Sequence, residues 1–183
     1  MLATENLMKE HQLILQYVDL MERYAAFSLK HPDTPVLLEK AACFIEFIHE
    51  FADRFHHAKE EDILFRYLGV PGVLTHCNPV PQMLMEHDKA RGYVQNMERA
   101  VQEKALTALA DNAAQYARLL TEHIYKEDNI LYPMGEAGLS DQAKTALLKE
   151  YAQTDERLDS RAIWAKYQTL YMELELGLGA GII

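Results

Sequence analysis

The stretch FIEFIHEFADRFHHAKEEDILFRYL, residues 44–68, decides how the rest of the chain is read, because its second half returns further on. His56-His57-Ala58-Lys59-Glu60-Glu61-Asp62-Ile63-Leu64-Phe65 aligns without gaps on His123-Ile124-Tyr125-Lys126-Glu127-Asp128-Asn129-Ile130-Leu131-Tyr132, sharing His, Lys, Glu, Ile and Leu. Residues four apart on a helix stand one above the other on the same face, so each copy presents an imidazole beside a carboxylate, a metal-ligand pair. His57 and Glu61 are also four apart, but only His56 and Glu60 have counterparts in the second copy.

Helical phase points the same way. With Ala41, Ile45, Ile48, Ala52, Phe55 and Lys59 as the apolar face, a rotation of about 100° per residue puts His56 and Glu60 on its flank and His57 toward the polar side. In the second copy His123 and Glu127 fall inside the stripe Leu109, Ala113, Tyr116, Leu120, His123, Glu127, Ile130. A carboxylate in such a seam must be paired or must coordinate a metal.

Outward from the repeat, each flanking helix adds one histidine. Thr4 is expected to cap a first helix whose stripe Leu7, His11, Ile14, Val18, Met21, Ala25 contains His11. Thr34-Pro35 reads as a cap followed by the first turn of a second helix, which Gly69-Val70-Pro71-Gly72 ends after Leu68. Asn78-Pro79 repeats that signal and opens a third helix with Met83, His87, Ala90, Val94, Met97 and Val101 in its seam. Arg91 follows His87 by one turn. The join to the fourth helix, near Lys104 to Thr107, carries no glycine or proline, and that helix is expected to end between Tyr132 and Gly135.

Four helices with short connections and apolar stripes predict an all-α, up-and-down antiparallel four-helix bundle over residues 1–138. Residues 139–183 are expected to form a C-terminal helical extension, capped by Ser140. The aromatic face of that extension (Trp164, Tyr167, Tyr171) would cover the bundle or pair two chains as a homodimer. The glycine-rich end from Gly177 reads as loose.

Composition narrows the function. A formal net charge of −10 over 183 residues argues against nucleic acid and anionic membrane surfaces as partners. Cys43 and Cys77 form no metal or disulfide pattern, and no apolar run reaches a membrane span, so a soluble cytoplasmic protein is expected. His31, His49 and His76 lie off the repeat and read as solvent or core residues, His49 sharing a face with His56.

The set His11, His56, Glu60, His87, His123 and Glu127 therefore predicts a two-metal site inside the bundle, with iron or manganese favoured by the mixed imidazole and carboxylate ligands and zinc compatible with them. In order and spacing, His, then H-x-x-x-E, then EHDKAR, then HIYKEDNILYP, the residues from Leu7 to Pro133 resemble the hemerythrin-like (HHE cation-binding) domains. The resemblance implies two iron ions bridged by an oxo or hydroxo group and by the carboxylates. Oxygen-carrying hemerythrins have a second histidine four residues on in the third helix, where this chain has Arg91, and use a carboxylate at the position of Asp128. The pattern resembles more closely the four-histidine, two-glutamate branch that includes iron-sulfur repair proteins, although the cysteine-bearing N-terminal domain of that branch is missing from this sequence.

By coordination counting, four imidazoles, two bridging carboxylates and an oxygen bridge leave about two of roughly twelve positions exchangeable on a pair of six-coordinate irons. That count favours sensing or handling a small diatomic ligand (oxygen, nitric oxide) or iron itself. The alternatives are a redox enzyme for peroxide reduction or iron-centre repair, with Tyr24, Tyr116 or Tyr125 as candidate proton or electron groups, and an interaction module with a structural metal.

Overall fold

The computed structural model describes residues 2–181, which are helical almost throughout, with no strand among them. Helix α1 (Glu5–Lys30) has an acid in its first turn and a base in its last, which suits the helix dipole. Thr4 does not cap it: the Thr4 amide and hydroxyl both donate to Glu136, 2.9 and 3.2 Å away, and so pin the start of α1 to a distant part of the chain. Thr34 makes no cap bond either, since Pro35 takes the cap position of the next helix and the Ser28 hydroxyl accepts from the Leu37 amide at 2.9 Å.

Helix α2 (residues 36–68) is a continuous rod whose hydrogen bonding changes along its length. Val36–Phe47 and Phe65–Leu68 are α-helical, whereas Ile48–His57 and Glu60–Leu64 bond as π-helix, each carbonyl reaching the amide five residues on. Helix α3 (Val80–Gln102) follows a turn in which Asn78 accepts from the Val80 amide at 3.1 Å. The next turn needs no glycine because Lys104 itself takes a left-handed conformation, φ 53°.

Helix α4 (residues 106–138) again changes pitch at its ligand end: Leu106–Lys126 is α-helical, Glu127–Leu131 is π-helical, and Tyr132–Gly138 is α-helical. It runs through Pro133 rather than stopping there. Pro133 stands in the first turn after the π segment, where its missing N–H costs little. Helices α5 (Asp141–Arg157) and α6 (Ser160–Gly181) complete the chain, with Ser140 accepting from the Ala143 amide at 3.2 Å.

α4 packs against α1 and α3, α2 lies along α1 and α3, and α6 lies across α1 and α2. Tyr17 and Tyr24 donate to the carbonyls of Tyr167 and Leu174, both at 2.7 Å, and Trp164 stands edge-on to Phe51, so the aromatic face of α6 covers its own bundle. The glycine-rich end is not loose as far as Gly181: it stays helical, with Leu178 buried and Gly177 set against the Tyr24 hydroxyl. Met1 and residues 182–183, the last of the expected extension, lie outside the described residues.

The apolar core is divided in two. One cluster holds Ile14, Phe55, Ala90 and Leu120, and a smaller one holds Leu7, Leu64, Met83 and Leu131. Along each of α1 to α4 the histidine lies between a member of one cluster and a member of the other, so the folded chain gathers its imidazoles in a single layer between two apolar cores.

Candidate metal centre

Seven ionisable side chains meet in that layer: His11, His56, His57, Glu60, His87, His123 and Glu127, none more than 3% exposed. Their ligand atoms fall into two groups that can each hold a metal ion. His57, Glu60, His87 and His123 form one, and His11, His56, Glu60 and Glu127 the other. All six residues read from the sequence are brought together here, with His57 added.

The carboxylates stand between the groups. Glu60 Oε2 is 3.4 Å from His87 Nε2 and 3.6 Å from His56 Nε2, while Glu127 Oε2 is 3.2 Å from His123 Nε2 and 3.3 Å from His11 Nε2. Glu60 Oε2 and both Glu127 oxygens are buried without a hydrogen-bond partner. Burial would raise both carboxyls, yet the facing imidazoles hold each below its ordinary value: His56 and His87 act on Glu60, His123 and His11 on Glu127. Buried carboxylate oxygens held ionised by imidazoles and left without hydrogen-bond partners are a donor set suited to a cation.

The imidazoles are oriented for the same purpose. His11 Nδ1 bonds Asp128 at 2.7 Å, His87 Nδ1 bonds Glu61 at 2.7 Å, His56 Nδ1 bonds Glu10 at 2.9 Å, and His123 Nδ1 bonds Glu86 at 2.9 Å. A carboxylate on Nδ1 fixes that proton outward and turns the Nε2 lone pair inward, as metal-binding histidines require. The His87 and His123 Nε2 atoms are 3.0 Å apart, close enough to share one proton or to ligate one cation. Burial lowers His56 and His57 to about 3, so both stay neutral. His11 and His87 are raised to about 10 and about 9 because their carboxylate bonds outweigh burial, so a metal entering there displaces protons.

The arrangement is a pseudo-symmetric pair. Lys59 bonds Glu10 behind His56, and Lys126 bonds Glu86 behind His123. Glu10-His11 and Glu86-His87 are matching dipeptides, so the repeat that singles out α2 and α4 extends to α1 and α3. That Glu-His pairing was the available signal for Glu10 and Glu86, and the shared lysine was the signal for Lys59 and Lys126. Asp128, the alternative carboxylate, supports His11 from outside while Glu127 points inward.

The family model for the hemerythrin HHE cation binding domain matches residues 2–135. The chain belongs to that family. It is 27% identical over 168 residues to uncharacterized protein Rv1995 of Mycobacterium tuberculosis and equally so to uncharacterized protein Mb2018 of Mycobacterium bovis, alignments that cover 87% of this chain and 62% of each relative. The chain thus spans less than two thirds of the length of these relatives.

Within this hemerythrin-like chain two expectations need correction. His57 does not face the polar side. It is buried, stacks on His87 with ring centroids 3.8 Å apart, and has its Nδ1 on Asp53 at 3.2 Å, the same support the other four imidazoles receive. The phase argument assumed a uniform α-helix, whereas the π-helical stretch Ile48–His57 turns less per residue and brings two consecutive histidines to the inner face. Arg91 marks no opening in the ligand shell: its guanidinium bonds Asp53 and Glu61, both at 2.7 Å, and Asp88 at 3.1 Å, while His57 offers the fifth imidazole from α2.

The tyrosines also sort differently. Tyr125 is exposed and the Tyr24 hydroxyl is committed to the Leu174 carbonyl. Tyr132 donates to Glu60 Oε1 at 2.5 Å and stacks on His11, making it the phenol nearest the ligand set. His49 pairs with Glu98 at 2.8 Å on the surface and takes no part.

Proposed function

We propose that this chain is a non-haem di-iron protein that senses or handles oxygen, nitric oxide or iron, its metals held by His11, His56, His57, Glu60, His87, His123 and Glu127 in an up-and-down bundle of α1 to α4. One observation carries the reading: five inward-facing Nε2 atoms, each with its Nδ1 held by a carboxylate, surround two buried glutamates whose oxygens have almost no protein partners. Iron bound there would supply reversible one-electron chemistry and a Lewis-acidic position, and manganese or zinc would fit the same residue types.

The protein's part is to fix and shield. Glu10, Glu61, Glu86, Asp53 and Asp128 hold the imidazoles in one tautomer, and the two apolar clusters keep water from the layer. With His57 in the shell, the coordination count drops from about two exchangeable positions to about one, which favours binding of one small ligand over extended substrate chemistry. The two free thiols of Cys43 and Cys77 suit a reducing, cytoplasmic setting. No described helix is long and apolar enough to cross a membrane.

Tyr132 supports a second reading, a redox enzyme for peroxide reduction or iron-centre repair, since its hydroxyl donates to Glu60 and its ring stacks on His11, placing a phenol against the ligand set. Metal analysis and near-ultraviolet spectra of protein purified with and without air test the first reading. About two irons per chain and an absorbance that changes with nitric oxide are expected. Stoichiometric zinc without iron, after growth in iron-replete medium, overturns it, and sustained peroxide turnover with a reductant would favour the enzyme.

A further inference from the structure

The turn between α5 and α6 brings the end of α5 beside the π-helical part of α2. Asp159 takes a left-handed conformation in that turn, φ 51°, and its carboxylate accepts from the Ala162 amide at 3.2 Å, which fixes the start of α6. A cavity of about 200 Å³ lies there, lined by Glu50, Arg54 and Phe55 from α2, by Arg157 and Leu158 before the turn and by Ile163 after it. Its two guanidiniums are unusual in so acidic a chain. Arg23, Arg66, Arg91 and Arg118 each bond a carboxylate, whereas Arg54 and Arg157, both exposed, make no ion pair among the described residues. The third charge in the wall, Glu50, is already engaged: Lys166 and Tyr167 donate to its Oε2, both at 2.8 Å, and hold its carboxyl below the ordinary value. The rest of the lining is apolar, the fully buried Phe55 with the half-buried Leu158 and Ile163.

We propose that this cavity binds a short aliphatic monocarboxylate, its head between Arg54 and Arg157 and its body on Phe55, Leu158 and Ile163. Guanidinium groups match a carboxylate through paired N–H bonds, and two of them without a protein partner carry charge that a bound anion neutralises. Glu50 sets the limit. Two positive charges against one negative suit a guest with a single negative charge, so the greater charge of a phosphate is disfavoured. The apolar wall calls for a body behind the head, and a volume below the roughly 300–1,000 Å³ of sites for drug-sized molecules keeps that body short. The site shares no residue with the metal layer and stands whether or not the di-iron reading holds.

Calorimetric titration of the full chain as purified tests this, with isovalerate as the probe and acetate, isovaleramide and inorganic phosphate as controls for body, charge and excess charge. Saturable isovalerate binding is expected, weakened about tenfold when the body is removed in acetate and about tenfold when the charge is removed in isovaleramide. Arg54→Gln and Arg157→Gln should each lower isovalerate affinity about tenfold. Arg161→Gln, at a nearby arginine that also lacks an ion pair but does not line the cavity, should leave it unchanged. Leu158→Ala should weaken isovalerate binding and leave acetate binding as it was. The ligand series on the unmodified chain decides the matter even where a variant fails to fold. No saturable isovalerate binding to the unmodified chain overturns the proposal. Binding that both arginine variants retain, the result for an acid bound at the metal layer instead, overturns it as well, and so does phosphate binding as tightly as isovalerate.

Discussion

The half of the centre built on α1 and α2 and the half built on α3 and α4 share one plan and differ at a few positions. Shared are the Glu-His dipeptide, the H-x-x-K-E stretch, the π-helical turn that starts at the inner glutamate, and the lysine-glutamate pair behind one imidazole. Different are His57 against Ile124, Tyr132 against Phe65, and Asp53 with Arg91 against Leu120 with Leu15. The repeated residues supply the two groups that could each hold a metal ion and the carboxylates that orient them, and two groups need them twice. The unmatched residues fall on both sides: the fifth imidazole and a cavity lie beside the group of His57, His87 and His123, and the Tyr132 phenol stacks on His11 in the other group.

The comparison breaks most readily at the inner carboxylates. Because Glu60 and Glu127 each stand between imidazoles of both groups, Glu60→Ala and Glu127→Ala should each remove most of both metals, and thermal unfolding should fall by about 10 °C as the stabilisation by bound metal is lost. Elemental analysis in which either variant keeps a full complement would show that the halves are not equivalent at this position.

A sharper contrast lies one residue after the first histidine of each copy. His57→Ala should weaken the group it belongs to by one to two orders of magnitude in metal affinity while leaving the other group loaded. Ile124→Ala should instead cost about 2–5 kcal/mol of stability through its cavity and leave metal content alone. Chelator competition and denaturant titration on the two variants separate these outcomes. Equal metal loss from both would return His57 to an ordinary packing role.

The supporting glutamates should behave alike. Glu10→Gln and Glu86→Gln each keep a hydrogen bond but lose the charge that fixes the imidazole, so each should reduce metal affinity about 10- to 100-fold. A much larger effect from Glu10→Gln would mean that burial of its Lys59 partner, deeper than that of Lys126, outweighs the shared plan.

The smallest effect is expected at the aromatic pair. Tyr132→Phe makes that position match Phe65 and removes one hydrogen bond to Glu60, at a cost of about 1 kcal/mol and with metal content retained. If the variant also loses its response to peroxide, Tyr132 takes part in turnover. Wild-type kinetics would limit it to positioning Glu60.

The sequence by itself determined a great deal. Periodicity defined the helices, and caps and breakers located most of their ends. The gapless repeat singled out His56, Glu60, His123 and Glu127, because ligands at i and i+4 leave a pattern that needs no tertiary information. His11 and His87 followed from seam position. Pitch was hidden: whether a helix winds as α or π depends on what its side chains must reach, and that change in winding brought His57 inward and carried α4 past Pro133. Pairings across the bundle were hidden too. Thr4 with Glu136, Arg91 with Asp53 and Tyr132 with Glu60 join residues far apart in the chain, and the cavity at Ala90 exists only because the facing side chains leave it unfilled. Spacing along one helix is local chemistry and can be read in order, whereas partners and empty space are properties of four helices packed together.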